Sequence, residues 1–96
     1  MAALSAAAEL PTLPLDRALE LVLVLRAGRH DRFPRAASRW IERWIAETVG
    51  VTVDEVHEVA QALVHVDDAH VCAALGAIFH ERGQRSLERA VARWAP

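Results

Sequence analysis

The chain has 96 residues, which is enough for one domain with a single modest core. Its 53% hydrophobic content and its low Gly and Pro content exclude a chain that is disordered throughout. Eleven basic and 13 acidic residues exclude a uniformly basic protein, and one cysteine excludes an intrachain disulfide.

The N-terminal segment predicts no regular structure. It is Ala-rich and closes with Pro11 and Pro14, so we expect 1–14 to be a flexible tail before a single helical domain over 15–96. The tail lacks the positive start of a signal peptide, and the longest purely aliphatic run, 21–25, is too short to cross a bilayer. We therefore expect a cytoplasmic protein without membrane contact.

The first helix is predicted from Asp16, as N-cap, to Ala27, with Gly28 in the left-handed conformation that often ends a helix. The Val-Leu alternation within it is also compatible with a strand, but no second strand signal exists to pair with it. Its apolar residues exceed one stripe. A helix contacted on more than one side is the better prediction.

The second helix is predicted from Asp31 or Phe33 to Val49, before Gly50, with Pro34 tolerated in its first turn. Its apolar residues recur at alternating spacings of three and one, which is typical of an amphipathic helix. We expect this stripe to face the core. It consists of Phe33, Ala36, Ala37, Trp40, Ile41, Trp44, Ile45, Thr48 and Val49.

The third helix begins with a capping box. In Thr52-Val53-Asp54-Glu55 the Thr hydroxyl and the Glu carboxylate are spaced to accept hydrogen bonds from each other's backbone amides. The acidic residues of its first turn suit the helix dipole. This helix is expected over about 52–65.

Two further helices follow. Asp67 or Asp68 is expected to cap the fourth helix, which extends to about Arg82 and is apolar around most of its middle. Gly83 marks a break, and a fifth amphipathic helix is expected from Gln84 to Trp94. The first and fourth helices are so apolar that they must pack centrally against each other or expose a surface for another chain.

A doubled pattern organises these elements. A His-acid-Arg sequence at His30 is followed by regularly spaced arginines and ends at Trp44, and the same pattern recurs fifty residues later, from His80 to Trp94. It predicts an internal duplication, with chance alignment as the alternative. We therefore expect an all-α, small five-helix bundle, in which two similar helical hairpins, about 16–49 and 67–94, are joined by a central helix, about 52–65.

Each copy carries an arginine ridge on the helix side that is expected to face water, about 145° from the apolar stripe at 100° per residue. An exposed guanidinium is a planar double donor for carboxylates and phosphates. The ridges are therefore candidate binding surfaces, with an ordinary solvated surface as the alternative. Their members are Arg32, Arg35, Arg39 and Arg43 in the first copy and Arg82, Arg85, Arg89 and Arg93 in the second.

No motif indicates catalysis, a cofactor or a metal site. The three serines lie outside nucleophile-elbow contexts, and no Gly-rich phosphate loop is present. The five histidines form no helical pair at i, i+4 and have no zinc-ligand spacing. Neither an enzyme nor a cofactor-dependent protein is expected.

The sequence therefore predicts a non-catalytic adaptor or regulatory protein that binds a protein partner or associates with itself as a homo-oligomer. The alternative is a nucleic-acid-associated regulator that binds phosphates through the two ridges. A helix-turn-helix is disfavoured, because its recognition helix would present Asp54, Glu55 and Glu58 to the phosphates.

Overall fold

The computed structural model describes residues 13–95 and contains five helices, with no strand in that range. The all-α five-helix bundle predicted from the sequence is thereby confirmed. None of these helices is long and apolar enough to span a membrane. In chain order they are α1 (Leu15–Ala27), α2 (Phe33–Glu47), α3 (Val53–Val64), α4 (Ala69–Glu81) and α5 (Arg85–Trp94).

An aromatic cluster lies at the centre of the core. Trp40 and Trp44, one turn apart on α2, stack with ring centroids 6.3 Å apart. Phe79 of α4 meets both rings edge-on, at centroid distances of 6.0 and 6.1 Å. All three side chains are fully buried. Edge-to-face and offset geometries are favoured by the ring quadrupoles, so this cluster fixes α2 against α4.

Helix α1 is the most enclosed element, as its apolar sequence requires. Five of its side chains are buried, and it packs against α2, α3 and α5. Helix α4 packs mainly against α3 and α5, and its Phe79 also contacts the two tryptophans of α2. The two most apolar helices therefore do not pack mainly against each other, because α2 and α5 cover α1.

Two predicted N-caps are confirmed. The amide of Glu55 donates to Thr52 Oγ1, and the amide of Thr52 donates to Glu55 Oε1, both at 3.2 Å, which completes the capping box. Asp68 Oδ1 accepts from the amides of His70 and Val71 at 2.8 and 3.3 Å. Both caps involve only residues within three positions of the cap, so the sequence alone can predict them.

Three predicted helix termini are wrong. Asp16 is not the N-cap of α1, because the helix begins at Leu15 and Pro14 precedes it without a side-chain cap. The left-handed residue after α1 is Arg29, with φ 50°, and Gly28 remains right-handed with φ −77°. Helix α2 ends at Glu47 rather than near Val49, because the backbone becomes extended at Thr48.

The ordered domain begins before residue 15. Leu13 packs against the core, and its carbonyl accepts a hydrogen bond of 2.8 Å from Arg43 Nη1. One turn earlier on α2, Trp40 Nε1 donates to the Leu15 carbonyl at 2.9 Å. Leu13 is thus held on α2. The flexible tail expected over 1–14 stays a prediction, and residues 1–12 lie outside the described part of the chain.

The bounds of α1 and α4 match at an offset of fifty-four residues. Helices α1 and α4 both have thirteen residues, and their bounds differ by 69 − 15 = 54 and 81 − 27 = 54. Both end with the same hydrogen bond, from His30 N to Leu25 O and from Gln84 N to Phe79 O, each 2.9 Å long. A left-handed residue precedes each donor, Arg29 in one loop and Gly83 in the other.

The two registers, fifty and fifty-four, differ by one helical turn. All four ridge arginines align at fifty, and two pairs also align at fifty-four, Arg35 with Arg89 and Arg39 with Arg93. The bounds of α1 and α4, in contrast, align only at fifty-four. The buried positions also follow fifty-four: Phe33, Ala36 and Ala37 correspond to Leu87, Ala90 and Val91. Common ancestry of the two helix pairs stays a prediction.

Candidate protein-binding surface

A groove lies between α2 and the C-terminal half of α3. It encloses about 540 Å³ and is open to solvent along its length. Phe33, Ala37 and Ile41 of α2 form one side, and Ala60 and Val64 of α3 form the other. The chain folds in this way because α2 and α3 are joined by a short turn and pack as neighbours.

Exposed apolar side chains are concentrated on the two helices that form this groove and on the turn between them. Five large hydrophobic residues are exposed within residues 13–95, and four of them lie on α2, on α3 or in the turn between them. Ile45 and Val64 are 41% and 44% exposed, and Val49 and Val53 are 94% and 85% exposed. The fifth, Val24, is 48% exposed on α1. A concentration of exposed apolar side chains is typical of an interaction site.

The spacing of these residues places them on one side of each helix. On both helices the relevant positions follow intervals of four, three and four, which stack on a single helical face. We call this surface the α2–α3 face. It comprises Pro34, Ser38, Ile41 and Ile45 of α2, Val49 in the turn, and Val53, His57, Ala60 and Val64 of α3.

Sequence periodicity assigned part of this surface to the core. Ile45 and Val49 belong to the predicted inward stripe of α2, yet both are exposed. The width of the apolar stripe could have indicated that part of it is exposed, because from Trp40 to Ile45 it spans roughly 140° at 100° per residue. The core covers only one side of that arc, and the other side borders the groove.

Charges differ between the two ends of the α2–α3 face. At the N-terminal end of α2, Arg29, Arg32 and Arg35 are exposed, and Asp31 is the acidic residue beside them. Their guanidinium groups form no hydrogen bond or ion pair within residues 13–95. A basic end of this kind attracts carboxylates.

The opposite end of the face is acidic. Glu42 lies on the second half of α2, and Asp54 and Glu58 lie on the first half of α3, all of them exposed. The segment 44–64 contains no arginine. The α2–α3 face is thus apolar along its middle, with a positive end and a negative end.

The ridge on α2 does not act as one unit. Arg32, Arg35 and Arg39 are exposed, as predicted. Arg43 is 24% exposed and is bound on two sides, to Glu47 Oε2 at 3.0 Å and to the Leu13 carbonyl at 2.8 Å. Arg43 therefore fixes the segment before α1 and is not a freely solvated member of the ridge.

The ridge on α5 is also divided. Arg85 and Arg89 are exposed, and no partner contacts either guanidinium within the described residues. Arg93 pairs across the bundle with Glu20 of α1 at 2.6 Å. Arg82, at the end of α4, is only 18% exposed, which contradicts its predicted place on a water-facing ridge.

Arg82 ties α4 to the turn that ends at the acidic end of the α2–α3 face. Its Nε donates to Glu55 Oε2 at 2.7 Å, and Nη2 contacts Glu55 Oε1. Nη1 and Nη2 also donate to the carbonyls of Val49 and Gly50, at 2.9 and 3.0 Å. The guanidinium lies 5.8 Å from the Trp44 ring centroid. Arg82 thereby holds the backbone that presents Val49.

Gln84 reinforces the same junction. Its Oε1 accepts from Trp44 Nε1, and its Nε2 donates to Thr48 Oγ1, both at 3.0 Å. The side chain thus links α5 to the core tryptophan and to the end of α2. Together with Arg82, it leaves the turn between α2 and α3 little freedom to rearrange.

The Glu55–Arg82 pair predicts a pH dependence of stability. The hydrogen bond to Arg82 is the largest cause that lowers the pKa of Glu55 in the folded protein, and Glu55 correspondingly raises the pKa of Arg82. A carboxylate with a depressed folded-state pKa stabilises the protein above its ordinary unfolded-state pKa, and this contribution is lost as pH falls through the folded-state pKa.

Glu55→Gln is therefore expected to lower the melting temperature at neutral pH and to flatten its decline on the acidic side of the ordinary glutamate pKa. Melting curves of both proteins over that range check this, with Glu58→Gln as an exposed control. Parallel curves for wild type and Glu55→Gln would show that the pair contributes nothing.

The described residues offer little for metal chemistry. No group of three or more His, Cys, Asp or Glu side chains is placed to hold a metal ion within them. His80 Nδ1 lies 3.1 Å from Glu88 Oε2, and His30 Nδ1 accepts from the Arg32 amide at 3.1 Å. Cys72 is buried, which raises the pKa of its thiol and disfavours the thiolate.

Comparison of the chain with protein-family models, with curated proteins and with solved structures gave no match.

Proposed function

We propose that this chain is a non-catalytic adaptor or regulatory protein that binds a protein partner through the α2–α3 face. The observation that carries the proposal is that, within residues 13–95, four of the five exposed large hydrophobic residues lie on that face. Exposing apolar surface costs free energy in water, and a partner that covers it recovers roughly 25 cal/mol per Å² of apolar area.

The shape of the face suits a helical partner. Two neighbouring helices with matched rows of apolar residues leave a channel between them, and an amphipathic helix can place its own apolar row there. The basic end of the face would favour acidic side chains at one end of that helix. This combination gives both an apolar contact and a preferred orientation.

The turn at the acidic end is fixed before any partner binds. Arg82 and Gln84 hold the carbonyls of Val49 and Gly50 and the Thr48 hydroxyl. A preorganised surface loses less conformational entropy on binding than a mobile one. We therefore expect the affinity for the partner to depend on the apolar contact rather than on ordering of the turn.

Phosphate binding remains the second candidate function. Five ridge arginines favour it, because they are exposed and have no guanidinium partner within residues 13–95: Arg32, Arg35, Arg39, Arg85 and Arg89. Binding of that kind weakens steeply with salt, by about one unit of log-log slope for each neutralised phosphate. Binding through the apolar face is expected to persist as salt rises.

The test compares two similarly exposed apolar positions. We expect Ile45→Asp to reduce recovery of the partner by about tenfold or more, since placing a carboxylate in an apolar interface costs at least about 1.4 kcal/mol. Val24→Asp is the matched control, because Val24 is 48% exposed and Ile45 is 41% exposed, but Val24 lies on α1. Recovery is measured by pull-down from native lysate, with and without nuclease.

A second variant of the α2–α3 face separates binding from folding. Val53 is 85% exposed at the start of α3, where a carboxylate suits the helix dipole, so Val53→Asp should fold normally and still weaken binding. Equal losses for Val24→Asp and Ile45→Asp would contradict the proposal. Loss of all binding on nuclease treatment would favour the phosphate-binding candidate.

A further inference from the structure

We propose that the occupant of the α2–α3 face is a second copy of this chain, docked across a two-fold axis perpendicular to α2 near its middle. This inference rests on the proposed function, because it names the partner of the same face. It is carried by the charge distribution of the face and by its matched apolar rows.

The two ends of the face are complementary to each other. The basic end has Arg29, Arg32 and Arg35, and the acidic end has Glu42 and Asp54. An isologous interface brings each surface point onto its symmetry mate, so self-docking needs a surface that complements itself. A face that is positive at one end and negative at the other meets that requirement when it is turned end over end.

The charges select one direction of the axis. An axis perpendicular to α2 lays each α2 antiparallel to its twin, so that the Arg35 end of one copy faces the Glu42 end of the other. An axis along the helices would instead bring the Glu42 end of α2 against the Asp54 end of α3. Like charges face each other in that arrangement, which disfavours it.

The apolar rows fit the same arrangement. Each α2 row, Pro34, Ser38, Ile41 and Ile45, meets its own copy in reverse order, and the α3 row of each protomer does the same. The turn with Val49 and Val53 reaches over the N-terminal end of the partner's α2. Side chains that are 94% and 85% exposed in the single chain are thereby covered.

Charge reversal provides a direct test of this geometry. Arg35→Glu and Glu42→Arg each change two symmetric contacts in a dimer, so each variant is expected to raise the dissociation constant by about tenfold or more. An equimolar mixture of the two variants restores complementary charges at both contacts. The mixture is therefore expected to form a heterodimer as tight as the wild-type homodimer.

Sedimentation equilibrium from micromolar to about millimolar concentration gives the masses. Arg89→Glu is the matched control, because it makes the same charge change on an exposed arginine of α5 and is expected to leave the wild-type dimer intact. Arg35, Glu42 and Arg89 are all exposed, so the three variants should fold. Circular dichroism checks this.

The outcomes separate this inference from the proposed function. A wild-type chain that stays monomeric throughout the range, or a mixture that associates no better than the single variants, overturns the homodimer. If Ile45→Asp still abolishes capture of another protein in that case, the α2–α3 face stands as a binding surface and only its occupant is wrong. Dimerisation that Arg89→Glu weakens as much as Arg35→Glu also overturns the proposed face.

Discussion

Trp44→Ala is expected to destabilise the protein by about 3–5 kcal/mol, a large part of the roughly 5–15 kcal/mol that holds a typical domain folded. Trp44 is fully buried, stacks on Trp40 and meets Phe79 edge-on. Its indole N–H also satisfies Gln84. Removing the ring leaves a cavity in the centre of the aromatic cluster and an amide oxygen without its donor.

The matched control is Trp94→Ala. In the fifty-residue register Trp94 is the counterpart of Trp44, yet it is only partly buried beside the core. Urea unfolding followed by circular dichroism should give a clearly smaller loss for Trp94→Ala. If Trp44→Ala does not fold, Trp44→Phe retains an aromatic ring and gives a measurable loss. Equal losses at positions 44 and 94 would contradict the central place of Trp44 in the aromatic cluster.

Arg82→Ala is expected to lower the melting temperature far more than Arg32→Ala, although both arginines occupy the same place in the doubled sequence pattern. Arg82 contacts the Glu55 carboxylate and two backbone carbonyls, whereas the Arg32 guanidinium is exposed. Removing the Arg82 side chain leaves Glu55 without its charged donor and releases the turn before α3.

Arg82→Lys tests the geometry of this contact. A lysine keeps the charge but cannot reproduce a fork that reaches one carboxylate and two carbonyls together, so rescue should be partial. Thermal melts monitored by circular dichroism compare Arg82→Ala, Arg82→Lys and Arg32→Ala. Full rescue by lysine would show that charge alone matters, and an unchanged melting temperature in Arg82→Ala would remove its structural role.

Local features of the fold could be read from the sequence. The caps at Thr52 and Asp68 involve only residues within three positions, and both are present. Helix ends that depend on backbone conformation were harder, because Arg29 takes the left-handed role expected of Gly28. The His30 amide donates to the Leu25 carbonyl across this loop, and the left-handed residue that precedes His30 is Arg29 rather than Gly28.

Contacts distant in sequence could not be predicted. Arg82 reaches Glu55 across 27 residues and the Gly50 carbonyl across 32, and nothing in the spacing of the arginines distinguishes it from Arg32. Arg43 is likewise bound by Leu13, 30 residues away. The predicted ridges were uniform because periodicity gives the direction of a side chain on its own helix and not its neighbours.

The α2–α3 face shows the same limit for apolar residues. Periodicity identified Ile45 and Val49 as apolar positions of α2, but whether another helix covers them depends on how α3 packs. The sequence did indicate that more apolar surface exists than a domain of this size can bury. It placed that excess on the first and fourth helices, whereas four of the five large hydrophobic residues exposed within residues 13–95 belong to the α2–α3 face.

Site-specific photocross-linking tests the binding role of the α2–α3 face most directly. A photoreactive amino acid replaces Val53 on the face or Val24 on α1, and each protein is irradiated in native lysate. A discrete cross-linked product is expected from position 53, with twice the chain mass if the partner is a second copy, and none is expected from position 24. Products from position 24 alone, or equally from both positions, would contradict it.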